Sequence, residues 1–262
     1  MLLHRKTMVA MLGLALVLVV LASLYRGWHH GPEHTWEPRQ TASSGNDMPI
    51  FYVKTDKRQV ALTFDISWGE KTLPLVLPIL TEHQVKCTFF LSGPWSERHS
   101  EAVRTIVEHG HEIASHGHKH ENLSRFDGQH ITDNISTAHK ILERISGQTP
   151  RFFRPPNGDY DDLVVGAARQ LGYETVIWSV DSLDWKNPGV EFMVDRVLRQ
   201  TFPGAILLFH ASDSCEQTHL ALPEVIHGLK EADYELITLG EMFEGGEPAR
   251  DDPRGRPHPP GG

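Results

Sequence analysis

Residues 60–69 read VALTFDISWG. The run from Val60 to Phe64 is apolar or β-prone, ends on the carboxylate of Asp65 and is closed by Gly69. That pattern predicts a buried strand presenting Asp65 at its C-terminal end. Further short apolar runs lie at 85–91, 112–115, 151–153, 175–180, 205–209 and 235–238. Longer helix-like stretches separate them, at 73–82, 101–108, 131–145, 161–171, 190–200 and 220–231. In the third of these, Ile131, Ile135, Ala138, Leu142 and Ile145 share one face of an amphipathic helix. Gly110, Gly147 and Gly172 each follow a helical pattern and suit the left-handed C′ position. Strands alternating with helices predict parallel pairing through right-handed crossovers. About seven such units between residues 50 and 240 predict an α/β fold: a distorted, incomplete (β/α) barrel of about seven parallel strands. An open doubly wound sheet is the alternative.

The reactive side chains fall at strand exits. Asp65 follows the first run, His116 and His120 the third, and Arg154 the fourth. Asp181 and Asp184 follow the fifth, and His210 the sixth. In a parallel β/α fold those exits open onto one face, so the residues are expected to converge. His116 and His120, in SHGHKH, are spaced i, i+4; on a helical turn both imidazoles share a face and bind one cation. His118 points elsewhere on such a turn, as a surface residue or a third ligand. Asp65 is placed to take a proton from metal-bound water, or else to cap the helix that follows. His210 suits a proton donor, with Asp181 or Asp184 holding its tautomer. Arg154, in FRPPNG, is expected to orient a carboxylate from a loop stiffened by Pro155 and Pro156. Trp185 and Leu208 line an acyl or sugar pocket, or belong to the core.

The chain has 262 residues, with 25 Lys+Arg against 34 Asp+Glu, a formal balance of −9, and 39 % hydrophobic residues. Coiled-coil, collagen-like and wholly disordered chains are excluded, and nucleic acid is not an expected partner, since phosphate binding needs a basic face. Cys87 and Cys215 are in no metal-binding spacing and read as unpaired packing residues. Arg5 and Lys6 precede an apolar run at 8–24, so residues 1–28 read as a membrane anchor or a cleaved signal, with the rest of the chain outside the cytoplasm. Residues 29–49 read as a linker, 50–243 as the domain and 244–262, rich in Gly, Pro and charge, as a disordered tail. A monomer is the expected state.

Taken in order, LTFDISWG, SHGHKH, FRPPNGDY, VDSLDWKNPG and LLFH resemble the five motifs of polysaccharide deacetylases that share the NodB homology domain, carbohydrate esterase family 4. The WG pair after the first motif resembles the membrane-anchored, sporulation-associated subgroup. The resemblance implies a distorted (β/α) barrel that removes N-acetyl or O-acetyl groups from a glycan such as peptidoglycan. It implies Asp65 as the general base and His116 and His120 as ligands of a divalent metal, usually zinc. Arg154 would orient the base, and Asp184, or less favourably Asp181, would tune His210 as the acid. Leu208 and Trp185 would line the acetyl pocket, with Pro155 and Asn157 as candidate substrate contacts. The chain departs from the pattern at Ile66, where a second, metal-binding aspartate usually stands. His118 or Asp65 itself is the candidate substitute ligand. Asn157 replaces a common tyrosine, and Gly117 a common Ser or Thr.

Overall fold

Alternation along the central strand sorts its side chains into two environments. The structure, a computed structural model, describes residues 48–255. Strand β2 (Gln59–Ile66) sends Val60, Leu62, Phe64 and Ile66 into an outer core with Leu73, Val76 and Leu80 of α1 (Leu73–Glu82). Thr63 and Asp65 take the opposite face, as a period of two requires. The chain continues through β3 (Thr88–Leu91), α2 (Gly93–Arg98), α3 (Ser100–Glu108), β4 (Glu112–Ser115) and α4 (Gly128–Ser146). Then come β5 (Phe152–Phe153), α5 (Asp162–Gln170), β6 (Glu174–Thr175), β7 (Val180–Asp181) and α6 (Val190–Gln200). The last elements are β8 (Ile206–His210), α7 (Thr218–Glu231), β9 (Glu235–Ile237), α8 (Leu239–Gly245) and β10 (Glu247–Ala249), while β1 (Tyr52–Lys54) precedes them all.

The main sheet runs β6-β5-β4-β3-β2-β8-β7, all parallel, and β9 joins β2 as an eighth strand. It curls into an incomplete barrel, the predicted architecture. One connection shows how far it curls. Strands β6 and β7 are consecutive in the chain yet sit at opposite sheet edges, joined only by residues 176–179. Such a link spans at most about 17 Å, so the two edges must lie near each other. The sequence reading took 175–180 as one strand. It is instead two short strands flanking a segment that bridges the opening, where Ser179 hydrogen-bonds Ile206 and Val176 pairs with Ile50.

Inside the curl, Phe90, Ala114, Phe152, Ile206 and Leu208 form a second core with Leu239 and Met242 of α8. That helix plugs the lower end: Thr238 and Glu241 form a capping box, and the Leu239 and Gly240 amides donate to Thr88 Oγ1 and Glu112 Oε2. The upper end is polar and stays open.

The expected helices at 73–82 and 190–200 form with those bounds, and Gly147 takes φ 68° to end α4. Helix α2, opened by Pro94, is an additional short helix outside the expected stretches. Placing 244–262 in a disordered tail is corrected over its first part: β10 pairs antiparallel with β1, and the Arg254 guanidinium lies 5.0 Å from the Phe51 ring centre and 5.3 Å from that of Trp178. Its Gly/Pro-rich composition hid a strand because the hydrogen bonds come from a partner about 200 residues away. The anchor segment and nearly all of the linker lie outside the described residues, among which no helix is long and apolar enough to cross a membrane. Both cysteines are buried and free.

Candidate active site

Register alone puts two of the reactive residues side by side, because Asp65 of β2 is paired with His210 of β8. Beneath them lies Arg154, just past β5 and fully buried. Its Nη1 donates to Asp65 Oδ1 at 2.7 Å and Thr63 Oγ1 at 3.0 Å, and its Nη2 donates to Ile177 O at 3.3 Å. The guanidinium also lies 4.0 Å from the ring centre of Phe90. A buried charge with this many partners is compensated, and it holds the carboxylate in one orientation. Burial alone would raise the Asp65 carboxyl. The charges of Arg154, His116 and His210 outweigh it and hold the group below the ordinary carboxylate range, so Asp65 is ionised at neutral pH.

His116 and His120 come together without a helix. They lie in the irregular loop after β4, with ring centres 5.3 Å apart. The turn depends on Gly117, at φ 73°, and on Asn134 of α4, whose Oδ1 accepts from the His118 amide and whose Nδ2 donates to Lys119 O. His116 Nδ1 bonds the Arg154 carbonyl at 2.8 Å, which in the neutral ring fixes the proton there and leaves the Nε2 lone pair facing Asp65 Oδ2 at 3.7 Å. Burial is the main reason the His116 pKa falls to about 4, so the ring is neutral at pH 7; burial also lowers His120. A neutral His116 with its Nε2 lone pair open, the His120 ring beside it and an ionised Asp65 carboxylate 3.7 Å away favour a divalent cation held by the two imidazoles, which bind zinc at about 2.0–2.1 Å. The donor chemistry therefore fits the metal that the motifs imply.

A Cβ at residue 117 would lie 2.6 Å from Asn134 Oδ1. Gly117→Ala is accordingly expected to lower stability by more than about 1 kcal/mol, because a left-handed backbone and a clash add. It should also weaken divalent-metal affinity at least tenfold by displacing the imidazoles. Thermal unfolding and metal titration check the two effects separately.

On the other side of the cleft, His210 Nδ1 bonds Asp184 Oδ1 at 2.8 Å. Asp184 Oδ2 accepts the His210 amide and Thr218 Oγ1, each at 2.7 Å. Burial would lower the His210 pKa; attraction to Asp184, and to Asp65 and Asp181, more than reverses this and leaves it raised. Of the two candidate partners the structure selects Asp184. Asp181 lines the cleft, takes the Leu183 amide on Oδ1, and has its carboxyl raised chiefly by burial.

The cleft holds about 370 Å³, and Asp65, His116, His120, Asn157, Asp181, Trp185, Leu208 and His210 all line it. Four predicted residues do not: Arg154 and Asp184 lie behind the wall, bonded to Asp65 and His210, and Pro155 and His118 are placed elsewhere. Pro155 is absent from the lining and instead starts a turn in which Asn157 has φ 61° and Gly158 enters the wall. His118 is turned away as well: its Nδ1 sits beside Gly93 of α2, among Ala138 and Ile141 of α4, and cannot complete the imidazole pair. The missing aspartate at residue 66 made it a candidate ligand, and the left-handed turn at Gly117 sets it aside. Sequence reasoning missed Trp68, Trp178, Ser212 and Cys215 in the walls, and Asn134 and Thr218 behind them. Asn134 carried a signal, a polar residue beside the apolar stripe of Ile131 and Ile135; Thr218 carried none. Among the described residues the one group of three with metal-ligand spacing is Asp184, His210 and Cys215, with donor atoms within 4.8 Å of one another.

Residues 52–176 match the family model described as Polysaccharide deacetylase. A peptidoglycan-N-acetylglucosamine deacetylase of Bacillus cereus is 34 % identical over 194 residues, 72 % of this chain and 70 % of that protein. The chain belongs to the polysaccharide deacetylase family. Another relative, the uncharacterized protein YlxY of Bacillus subtilis, is 33 % identical over 75 % of this chain, which spans only 60 % of that protein. Among solved structures, a CE4 family pseudoenzyme from Bacillus anthracis aligns with a TM-score of 0.72 at 34 % identity, over 77 % of this chain and 71 % of that one. A mutant of the same pseudoenzyme is described as having restored enzymatic activity and aligns equally well, at 35 % identity. This polysaccharide deacetylase domain thus resembles both named hydrolases and a family member named for lacking activity.

Proposed function

We propose that the chain is a metal-dependent hydrolase that removes N-acetyl groups from a cell-wall glycan, of the peptidoglycan or chitooligosaccharide class, outside the cytoplasm and tethered by its N-terminal segment. The observation that carries this reading is the complete acid–base pair: an ionised Asp65 beside a carboxylate-held His210 whose pKa is raised, both lining one cleft. His116 and His120 would hold the divalent cation, zinc being the natural choice for two imidazoles. When bound, the cation polarises the acetyl carbonyl and lowers the pKa of water beside it. Asp65 Oδ2 takes the proton of the attacking water, while Arg154 keeps Oδ1 occupied. His210 passes a proton to the leaving amine, and Asp184 stabilises the imidazolium and fixes the ring. Leu208 and Trp185 provide apolar surface for the acetyl methyl. Water adds across the amide, releasing acetate and a free amino sugar.

A second reading, a glycan-binding protein without turnover, is favoured by one observation. Ile66 belongs to the outer core, with no exposed surface, so its side chain is directed away from the cleft. No third ligand comes from that position. If Asp65 Oδ2 binds the cation, it is no longer free as a base. Acetate release from acetylated chitooligomers and peptidoglycan, with zinc or cobalt added, separates the readings. Turnover that is lost in both His116→Ala and His210→Ala supports the hydrolase; glycan binding without acetate under any metal supports the second.

The placement of Ile66 has its own test. Ile66→Asp is expected to lower the unfolding free energy by about 2–5 kcal/mol, the combined effect of lost apolar packing and an unpaired buried carboxyl. Urea titration of the metal-free protein measures it, and unchanged stability with tighter metal binding contradicts an outward-facing residue 66.

A further inference from the structure

We propose that Cys215 makes the acid side of the cleft a second, inhibitory site for a soft divalent cation, with Asp184, His210 and Cys215 as its protein ligands. The β8–α7 loop brings the cysteine back to the end of β8, fixed by hydrogen bonds from the Cys215 amide to Ser212 O and from the Thr218 amide to Cys215 O. The three donor atoms then lie within 4.8 Å of one another; His210 and Cys215 line the cleft, and Asp184 is buried behind them. Ligands around a tetrahedral zinc or cadmium ion lie roughly 3.5 Å apart, so modest side-chain rotation closes the set.

Asp184 is prepared for this in an unusual way. Its Oδ2 is fully engaged by the His210 amide and Thr218 Oγ1, whereas Oδ1 has the His210 ring as its one assigned partner. A cation therefore has to displace the proton between Asp184 Oδ1 and His210 Nδ1, not a framework of fixed contacts. The proton on the Cys215 thiol leaves at the same time, and carboxylate plus thiolate balance the ion's double charge. Sulfur with imidazole selects zinc, cadmium or cobalt over magnesium and calcium. Bound there, the ion takes over the Nδ1 atom through which Asp184 holds His210, so His210 is no longer oriented as the acid. This consequence for turnover rests on the hydrolase reading above; the binding itself does not.

Two measurements on the full chain keep those apart. Cadmium titration is expected to give an ultraviolet thiolate-to-cadmium charge-transfer band that saturates by the second equivalent, the imidazole pair taking the other. The band should vanish in Cys215→Ser and Cys215→Ala, persist in Cys87→Ala and His116→Ala, and need at least tenfold more cadmium in Asp184→Asn. No band in the parent chain, or a band surviving in both Cys215 variants, overturns the inference. For turnover, zinc beyond the first equivalent is expected to lower acetate release at least tenfold. The midpoint should move upward at least tenfold in Cys215→Ser, each variant compared with its own uninhibited rate. Inhibition with an unchanged midpoint overturns the inhibitory role. A cadmium band in a chain that releases no acetate under any metal supports the site and removes the hydrolase reading.

Discussion

Replacing Arg154 with methionine is expected to abolish acetate release and to lower the unfolding free energy by about 3–5 kcal/mol at pH 7, the usual result of stripping one partner from a buried ion pair. Methionine fills much of the volume beside Phe90 and Trp178, so the loss reports the charge more than a cavity. Its pH dependence identifies the cause. In the parent chain Asp65 has a depressed carboxyl, so its contribution is present above the unfolded carboxylate pKa and fades as pH falls through the folded value. Without Arg154, the largest of the lowering influences, burial dominates and the same carboxyl rises. Its ionised form then costs stability as pH increases. The difference between parent and variant should therefore be larger at pH 7 than at pH 4. Urea titrations at both values check it, and equal losses would assign the effect to packing alone.

Asp184→Asn is expected to lower kcat by about 10²–10⁴-fold while leaving KM nearly unchanged, because the residue orients His210 and touches no substrate. Three hydrogen bonds end on its carboxylate. An asparagine side chain presents one acceptor, so at least one of these bonds fails. The pH–rate profile should move as well. His210 has a raised pKa despite burial, so as an acid it stays protonated to higher pH than an ordinary imidazole. Removing the Asp184 charge lets burial prevail, and the alkaline limb of kcat should shift to lower pH. The stability term has the same sign: the pair contributes most below the unfolded histidine pKa and loses its contribution as pH rises through the folded one. A drop in kcat with an unmoved limb would mean that Asp184 positions His210 without tuning it.

Much of this site was legible because β/α topology turns a one-dimensional rule, reactive residues at strand exits, into a three-dimensional one. Asp65, Arg154 and His210 needed no further information to be placed together. The choice between Asp181 and Asp184 was not legible, since it turns on the short helical turn after β7 that aims one carboxylate at β8 and the other at the Leu183 amide. The histidine loop misled in its mechanism. A spacing of i, i+4 was read as a helical turn, yet the two rings meet through a left-handed glycine and a clamp from Asn134, which also turns His118 aside. The bridging segment at 176–179 was likewise opaque. Its residues are as apolar as a strand, but the Val176 and Ile177 carbonyls serve Arg154 rather than a neighbouring strand.

The pairing of β10 with β1 bears on how a recombinant product is cut. A boundary at residue 243, which composition suggests, would leave the outer edge of β1 bare as a template for another chain's backbone. It would also strip Arg254 from the Trp178 ring, loosening the part of the cleft wall that Trp178 forms. A purification handle belongs after residue 255, where it leaves this brace intact.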